Sequence, residues 1–414
     1  MKKLAFLFPG QGSQFAGMGK ELYKRSNLVR SIYEEASETV GYNLAQVSFE
    51  DDGNRLNRTE FAQPALLTLS YSMFRVYMDE IGEEPCYMAG HSLGEYSALA
   101  CSGAISFANA VRLASQRGQI MQNAVPPGAG AMSAVRGLSY REVLHICNTS
   151  SVEDARSPDI ACFNSPMQFV VSGEAKAVRQ VEHRVEHAGG LCTRLKVSGA
   201  FHSYMMNQAA VELQHVIKQY LFHDLRYPVV SNVTSKPYRS TADIVPALTK
   251  QMTSTVRWYE TMVFLHAQGV RHYVELGPGR VLEQLAKQAF KRSSVLGIDS
   301  MDKKGNWRKA DDMPVTVQHI CARIVDGCLA VAASAENRNE DEHEFEHTIH
   351  PAYKELKRIK ESLVALGEMA KPIMHASTAI ERAEVILTAK KLDKLEVEAR
   401  LSPLQKLFSQ LQKG

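Results

Sequence analysis

Short apolar runs alternate with longer amphipathic stretches in the first part of the chain. Short apolar runs fit buried strands, whereas longer stretches with apolar positions three and four residues apart fit helices. The pattern predicts strands at 4–8 and 87–89 and helices over 23–40 and 68–81. Strands and helices that alternate in this way form a parallel sheet covered by helices. We therefore expect an α/β domain here.

The spacing of the apolar runs changes between residues 128 and 197. The elements predicted there are, in order, a strand at 131–135, a helix at 140–149, strands at 160–164 and 169–172, a helix at 175–188 and a strand at 191–197. This β-α-β-β-α-β order is that of a ferredoxin-like unit. The larger domain resumes near Gly199, with a helix at 204–220 and strands at 227–231 and 273–276, so the small unit is predicted to be an insertion.

The pattern after residue 300 is different in kind. A polar linker is predicted at 301–314, and a mainly helical extension at 315–414 contains an acidic stretch at 336–346. Helices are predicted over 352–370 and 375–411, the second interrupted at Pro403 because proline lacks the N–H that a helix needs. The predicted domains are 1–127 with 198–300, the insertion 128–197, and the extension 315–414.

Composition narrows the class of protein. The 414 residues are 45% hydrophobic, which is enough for two or three structural units, and the net charge of +3 without a long Lys/Arg cluster gives no sign of nucleic-acid binding. Seven cysteines without a Cys-x-x-Cys pair argue against a disulfide framework and a zinc site, and favour a reducing, cytoplasmic location. The N-terminal apolar run is too short for a signal peptide, and no segment could cross a membrane.

The pentapeptide Gly90-His91-Ser92-Leu93-Gly94 joins a predicted strand to a helix-like stretch. Gly-x-Ser-x-Gly in this setting is the pattern of a nucleophile elbow, where glycines permit a tight turn and close helix packing. We predict that Ser92 is a nucleophile. The motif alone fits an ordinary turn equally well, because Gly and Ser are common in turns. A partner base is therefore needed.

Fourteen histidines compete for the role of that base. His202 stands out because it follows a predicted strand among small residues and precedes the helix at 204–220. Open α/β sheets collect their sites at the carboxyl ends of strands. His91 is a poorer candidate, since adjacent residues at an elbow point in different directions.

Helical periodicity places Arg117 on a buried face. The stripe consists of Phe107, Ala110, Ala114, Arg117 and Met121. A buried guanidinium requires an anion, which is either a structural Asp or Glu of this chain or a carboxylate of a substrate. The glycine loop at 10–12, by contrast, lacks the register of a phosphate-binding motif and is expected to be a tight turn that exposes N–H groups.

Several motifs in the same order resemble the malonyl-CoA:acyl-carrier-protein transacylases of fatty-acid and polyketide synthesis. They are the segments 8–14, 90–95, 164–166, 199–203 and 274–279, together with Arg117. The resemblance covers residues 1–300 and implies an α/β-hydrolase-like large subdomain with an inserted ferredoxin-like one. The extension resembles those of stand-alone acyltransferases that serve polyketide synthases in trans.

The resemblance implies a role for each motif residue. Ser92 would take malonyl from coenzyme A, with His202 as general base and then general acid. The backbone N–H groups of Gln11 and Leu93 would form the oxyanion hole. The main-chain carbonyl of Gln251 would orient the histidine.

The remaining implied residues bind the acyl group. Arg117 would hold the malonyl carboxylate, and Gln63 and Asn164 would line the pocket. Phe201 would exclude methylmalonyl because its ring fills the space that an α-methyl group needs. No metal or redox cofactor is implied. The partners implied are malonyl-CoA and an acyl carrier protein or a synthase carrier domain, and we expect a monomer.

Three functions from different classes are compatible with the motifs: malonyl transfer, hydrolysis of acyl groups on carrier proteins by the same scaffold, and a non-catalytic interaction. Arg117 argues against the hydrolase, because simple acyl chains gain nothing from a buried cation. The joint presence of Ser92, His202, Arg117 and Gln11 argues against the third. The extension is either a helical cover or a docking surface for synthase modules.

Overall fold

The computed structural model describes residues 3–290 except 52, 151–155, 196 and 198, then 294–296, and the segment 321–413 except 322–323, 326, 330, 333–334, 336–338, 340 and 366–371. The chain divides into two compact units, Met1–Ala310 and Asp311–Gly414. The linker predicted at 301–314 lies outside the described residues.

Nine strands in the described part of the chain form two sheets. They are β1 (Leu4–Phe8), β2 (Tyr87–Gly90), β3 (Gly130–Arg136), β4 (Asp159–Ser165), β5 (Gln168–Glu174), β6 (Leu191–Arg194), β7 (Val229–Val230), β8 (His272–Glu275) and β9 (Ser294–Leu296). The larger sheet is parallel, with the order β7-β2-β1-β8-β9. All five residues of β1 are buried, as expected for a central strand with both faces covered. The predicted parallel α/β sheet is confirmed.

Helices cover this sheet and the smaller one. The helices of the first unit are α1 (Lys20–Arg25), α2 (Asn27–Val40), α3 (Leu44–Glu50), α4 (Thr59–Glu80), α5 (Leu93–Cys101), α6 (Phe107–Asn123), α7 (Tyr140–Thr149), α8 (Ala175–His187), α9 (Asn207–Ile217), α10 (Ile244–Gln251), α11 (Trp258–Ala267) and α12 (Val281–Ala289). The single helix predicted over 23–40 is two, because the Ser26 side chain caps a new helix by accepting the Val29 N–H.

Two predicted helix boundaries in the first unit are wrong. Helix α4 was expected to begin at 68 but begins at Thr59, with Pro64 inside it. The run on both sides of Pro64 is buried, and this burial outweighs the one hydrogen bond that proline removes. The helix predicted over 204–220 begins with a 3-10 turn at Tyr204–Met206 and ends at Ile217.

The second sheet belongs to the inserted subdomain. It is antiparallel with the order β4-β5-β3-β6, and α7 and α8 pack against it. Its β-α-β-β-α-β order confirms the ferredoxin-like prediction. Helix α7 has the predicted bounds, because Ser139 and Glu142 form a reciprocal capping box at its start.

The second unit is mainly helical, as predicted. A short helix, Glu342–Glu344, and a π-helical turn, Phe345–Ile349, lead into α13 (His350–Ala365), followed by α14 (Pro372–Ala389) and α15 (Lys394–Lys413). This unit has a buried core of its own that includes Leu356, Ile386 and Leu401. The predicted interruption at Pro403 is wrong, since the chain breaks instead near Lys391, which has a φ of 61°. No helix in the described residues is long and apolar enough to span a membrane.

Candidate active site

Ser92 stands at the turn between β2 and α5 in a strained conformation, with φ 51° and ψ −105°. The neighbouring glycines make this turn possible. A Cβ on Gly90 would lie 1.8 Å from the carbonyl carbon of Gly94, and a Cβ on Gly94 would lie 1.9 Å from the oxygen of Phe8. Main-chain atoms of strand and helix are therefore in direct contact, which places the half-buried serine at the end of the sheet.

The serine hydroxyl meets the predicted base. Ser92 Oγ lies 2.8 Å from His202 Nε2, and His202 Nδ1 lies 2.8 Å from the main-chain oxygen of Gln251. A carbonyl can only accept, so Nδ1 carries the proton and Nε2 is free to accept the proton of the hydroxyl. The carbonyl of Gln251 thus takes the place that an Asp side chain has in a Ser-His-Asp triad.

The surroundings of His202 favour the neutral form of its imidazole. It is 4% exposed, and burial together with the nearby charge of Arg117 lowers the pKa of its imidazole to about 3. The Gln251 hydrogen bond opposes this shift but does not cancel it. A neutral imidazole is the form that can act as general base.

A surface cavity of about 390 Å³ opens on His202, lined also by Tyr140, Asp159, Thr253 and Arg257.

Arg117 lies on the buried face of α6, as the periodicity predicted, and is 1% exposed. Its Nη1 donates to Gln63 Oε1 at 2.7 Å, and its Nη2 donates to Gln251 Oε1 at 3.0 Å and to Ser92 Oγ at 3.2 Å. Its guanidinium carbon lies 5.0 Å from the Tyr96 ring centre. Burial lowers its pKa, yet a guanidinium keeps its charge at neutral pH. Among the described residues no carboxylate forms an ion pair with it, so a structural Asp or Glu partner is not what holds it.

The two residues expected to supply oxyanion-hole donors lie at the edge of the sheet where the paired strands β1 and β2 end. Leu93 is the first residue of α5, where N–H groups have no partner within the helix. Gln11 follows β1, and its side chain donates to Thr59 Oγ1 at 3.0 Å, which fixes the loop. Neither backbone N–H donates to an acceptor within the described chain. Both are therefore free to bind a developing oxyanion.

The structure also locates the expected pocket residues. Gln63 is fully buried on α4 and binds Arg117. Among the described residues Asn164 makes no hydrogen bond to Ser92. Its Oδ1 lies 2.8 Å from Nε2 of the half-buried His91, whose ring centre is 5.7 Å from that of Trp258. Phe201 is 5% exposed and precedes the base directly.

Sequence reasoning missed a buried polar network beneath the serine. Asn232 Oδ1 accepts the Ser92 N–H at 2.7 Å, and its Nδ2 donates to the Gly90 oxygen at 2.6 Å. Glu95 accepts from the Asn232 N–H at 3.1 Å and from the Tyr238 hydroxyl. Burial raises the pKa of Glu95, and these hydrogen bonds oppose that shift. Only the sequence Gly-x-Ser-x-Gly-Glu gave a hint of this network, since the partners of Glu95 lie far away in sequence.

A serine on a strand-to-helix turn, with an oriented histidine and two free N–H groups, defines a serine enzyme of the acyl-transfer class. The acyl transferase domain family matches residues 5–325 of the chain. The chain belongs to this family.

Several similar proteins are malonyl CoA-acyl carrier protein transacylases. The chain is 36% identical over 393 residues to a malonyl CoA-acyl carrier protein transacylase from Bacillus subtilis, covering 95% of this chain and 94% of the relative. It is 42% identical over 299 residues to another from Bacillus subtilis strain 168, covering 72% of this chain and 94% of that protein. A solved complex of a type II polyketide-synthase acyl-carrier protein with its malonyl-transacylase matches with a TM-score of 0.69 and 39% identity, over 72% of this chain and 96% of the other. The first relative therefore extends over the C-terminal unit, whereas the other two matches cover 72% of the chain.

Proposed function

We propose that this protein transfers malonyl from malonyl-CoA to the phosphopantetheine thiol of an acyl carrier protein through an acyl-enzyme on Ser92. The observation that carries the proposal is Arg117. It is a buried cation whose hydrogen-bond partners Gln63, Gln251 and Ser92 are all neutral, with Nη2 3.2 Å from Ser92 Oγ. The charge of Glu95 acts on it without forming an ion pair. Such a cation can bind the carboxylate at the end of a short acyl group such as malonyl.

The geometry supports a two-step reaction. In the first step the Ser92 hydroxyl gives its proton to His202 Nε2 and its oxygen attacks the thioester carbonyl. The oxyanion is bound by the N–H groups of Gln11 and Leu93, a type of donor worth roughly 3 kcal/mol each. The tetrahedral intermediate expels the thiolate of coenzyme A, which takes the proton from His202.

The second step reverses the first with a new thiol. The carrier thiol gives its proton to His202, and its sulfur attacks the malonyl-serine ester. Collapse of the intermediate returns the proton to Ser92 and leaves malonyl on the carrier. Carriers of fatty-acid and of polyketide synthesis present the same phosphopantetheine thiol, so the proposal covers both. All proton transfers are made by Ser92, His202 and thiols, so the reaction calls for no metal or redox cofactor.

The names of the relatives support transfer over hydrolysis. The type II polyketide-synthase complex supports a carrier protein as the acceptor. The buried charge of Arg117 also supports malonyl transfer over hydrolysis of uncharged acyl chains. Desolvating this cation costs free energy, and an uncharged acyl chain would form no ion pair that offsets the cost.

Intact-mass spectrometry tests the proposal. The protein is mixed with malonyl-, methylmalonyl- or acetyl-CoA, before and after addition of a phosphopantetheinylated carrier protein. A malonyl adduct that moves to the carrier is the expected result, whereas an adduct lost to water at the same rate without carrier indicates a hydrolase. Ser92→Ala should abolish the adduct. Ser97→Ala is the matched control, since Ser97 is a buried serine on the same helix whose hydroxyl has no hydrogen-bond partner in the described structure.

A further inference from the structure

The acyl-transfer steps give no role to Glu95, one of three buried glutamates in the described part of the first unit. Glu95 lies in the first turn of α5, three residues after the nucleophile, and is 1% exposed. Its contacts are all with donors: the Tyr238 hydroxyl on one oxygen, and on the other the Asn232 N–H at 3.1 Å and Gln251 Nε2 at 2.7 Å. A buried carboxyl group is costly unless it is satisfied in this way, so it is expected to hold something in place.

What Glu95 holds is the side-chain amide of Gln251. Besides Glu95, Gln251 Nε2 has Asn232 Oδ1 at 3.2 Å and the main-chain oxygen of Ser92 at 3.1 Å as acceptors. The contact to Glu95 is the shortest of the three. With the nitrogen on this side, the other end of the amide must present its oxygen, and Oε1 accepts from Arg117 Nη2 at 3.0 Å.

The orientation of this amide matters because its two ends are chemically opposite. If the amide turned over, its NH₂ group would face the guanidinium, and both groups are donors. Arg117 Nη2 would lose an acceptor and its position beside Ser92 Oγ. Gln251 thus has two separate functions, since its main-chain carbonyl orients His202 while its side chain orients Arg117.

We propose that Glu95 is a positioning residue for acyl selectivity: by fixing the Gln251 amide it holds Arg117 where it can bind the carboxylate of the acyl group. This inference rests on the proposed function, in which Arg117 binds malonyl. Glu95 touches neither the acyl group nor the reacting atoms. Because Glu95 also accepts from the Asn232 N–H beneath Ser92, its loss should slow both substrates, and the displacement of Arg117 should add a further loss for malonyl alone.

The test compares kcat/KM for malonyl-CoA and acetyl-CoA in three variants. Glu95→Ala should lower the malonyl-to-acetyl ratio about tenfold, the equivalent of one lost hydrogen bond to a charged group. Glu95→Gln should restore most of the ratio, because its amide oxygen can face Gln251 while its nitrogen faces the Tyr238 oxygen. Tyr238→Phe is the matched control. It removes the donor on the other carboxyl oxygen without touching Gln251, and the ratio should stay unchanged.

Gln251→Met tests the same contact should Glu95→Ala fail to fold. Gln251→Met removes both ends of the amide but keeps the main-chain carbonyl that binds His202, and it should lower the ratio to the same extent. Equal losses for malonyl and acetyl in both variants would mean a structural role and would overturn the inference. A wild-type protein without preference for malonyl would instead refute the proposed function and this inference with it.

Discussion

Ser92 and His202 are 110 residues apart in sequence, yet they meet at 2.8 Å and both have positive φ angles, 51° and 58°. Positive φ is unfavourable for residues with a Cβ and persists only where the surroundings enforce it. For Ser92 the main-chain contacts of the elbow do so. For His202 the following turn contributes, as Ser203 Oγ donates to the Ala200 oxygen at 2.6 Å. The strained conformations therefore hold the proposed nucleophile and base in hydrogen-bond contact.

Arg117→Ala should reduce malonyl loading far more than acetyl loading. The substitution removes charge-assisted hydrogen bonds worth at least about 2 kcal/mol, or roughly 30-fold in rate, from the substrate that carries a carboxylate. Mass spectrometry of samples quenched at set times gives the rate of adduct formation for each acyl group. Arg112→Ala on the exposed side of the same helix is the control and should change neither. Equal losses for the two acyl groups would argue against a carboxylate clamp.

Malonyl loading should keep its rate as the pH falls from about 8 to about 5. Burial and the Arg117 charge lower the pKa of His202 to about 3, and protonation removes the base only when the pH approaches that lowered value. The measurement is the initial rate of adduct formation at constant ionic strength, with circular dichroism to verify folding. An acid limb centred near the ordinary histidine value of 6.5 would contradict a buried, neutral imidazole.

Phe201→Ala should raise the use of methylmalonyl-CoA relative to malonyl-CoA by about tenfold, because removing the ring opens space for an α-methyl group. Competition between the two thioesters, read as the ratio of adduct masses, measures the change directly. Phe15→Ala provides the control, since that ring is 51% exposed. An unchanged ratio would assign the exclusion of methylmalonyl to other residues.

Gly94→Ala should abolish the adduct and lower the melting temperature, because the new Cβ would lie 1.9 Å from the main-chain oxygen of Phe8. Main-chain atoms cannot move aside as a flexible side chain can, so we expect a cost above about 3 kcal/mol. Gly103→Ala is the matched control. Its Cβ would meet nothing within 4 Å, and its φ of 82° makes the expected cost only about 1 kcal/mol. Similar stability of the two variants would contradict the close packing.

The parts of the fold that sequence predicted well are those determined locally. Strand Leu4–Phe8 is one apolar run, and helix Tyr140–Thr149 carries its own capping box, so both have the predicted bounds. The start of α4 was missed because tertiary burial around Pro64 overrides a local signal. The break near Lys391 carries no proline, whereas Pro403 lies inside a helix.

The residues of the candidate site likewise fall into those that a local sequence pattern predicts and those that it does not. Ser92 and Arg117 stand out from a motif and a helical period. Asn232 and Glu95 could not be found from sequence, because each acts through a partner 137 to 156 residues away. Such long-range hydrogen bonds leave no periodic or motif signal. The amide of Gln251 was missed for the same reason, although its main-chain carbonyl was expected to orient the histidine.

The direct main-chain contacts at Gly90 and Gly94 have a practical consequence for changing the acyl group that this enzyme loads. No side chain can be added at Gly90 or Gly94, so a library that varies these two positions would consist mainly of inactive protein. Variation at Phe201, which the proposed function places beside the acyl group, leaves those contacts untouched. The turn that presents Ser92 is therefore fixed by geometry at these two glycines, whereas Phe201, which is proposed to choose between acyl groups, lies outside these main-chain contacts.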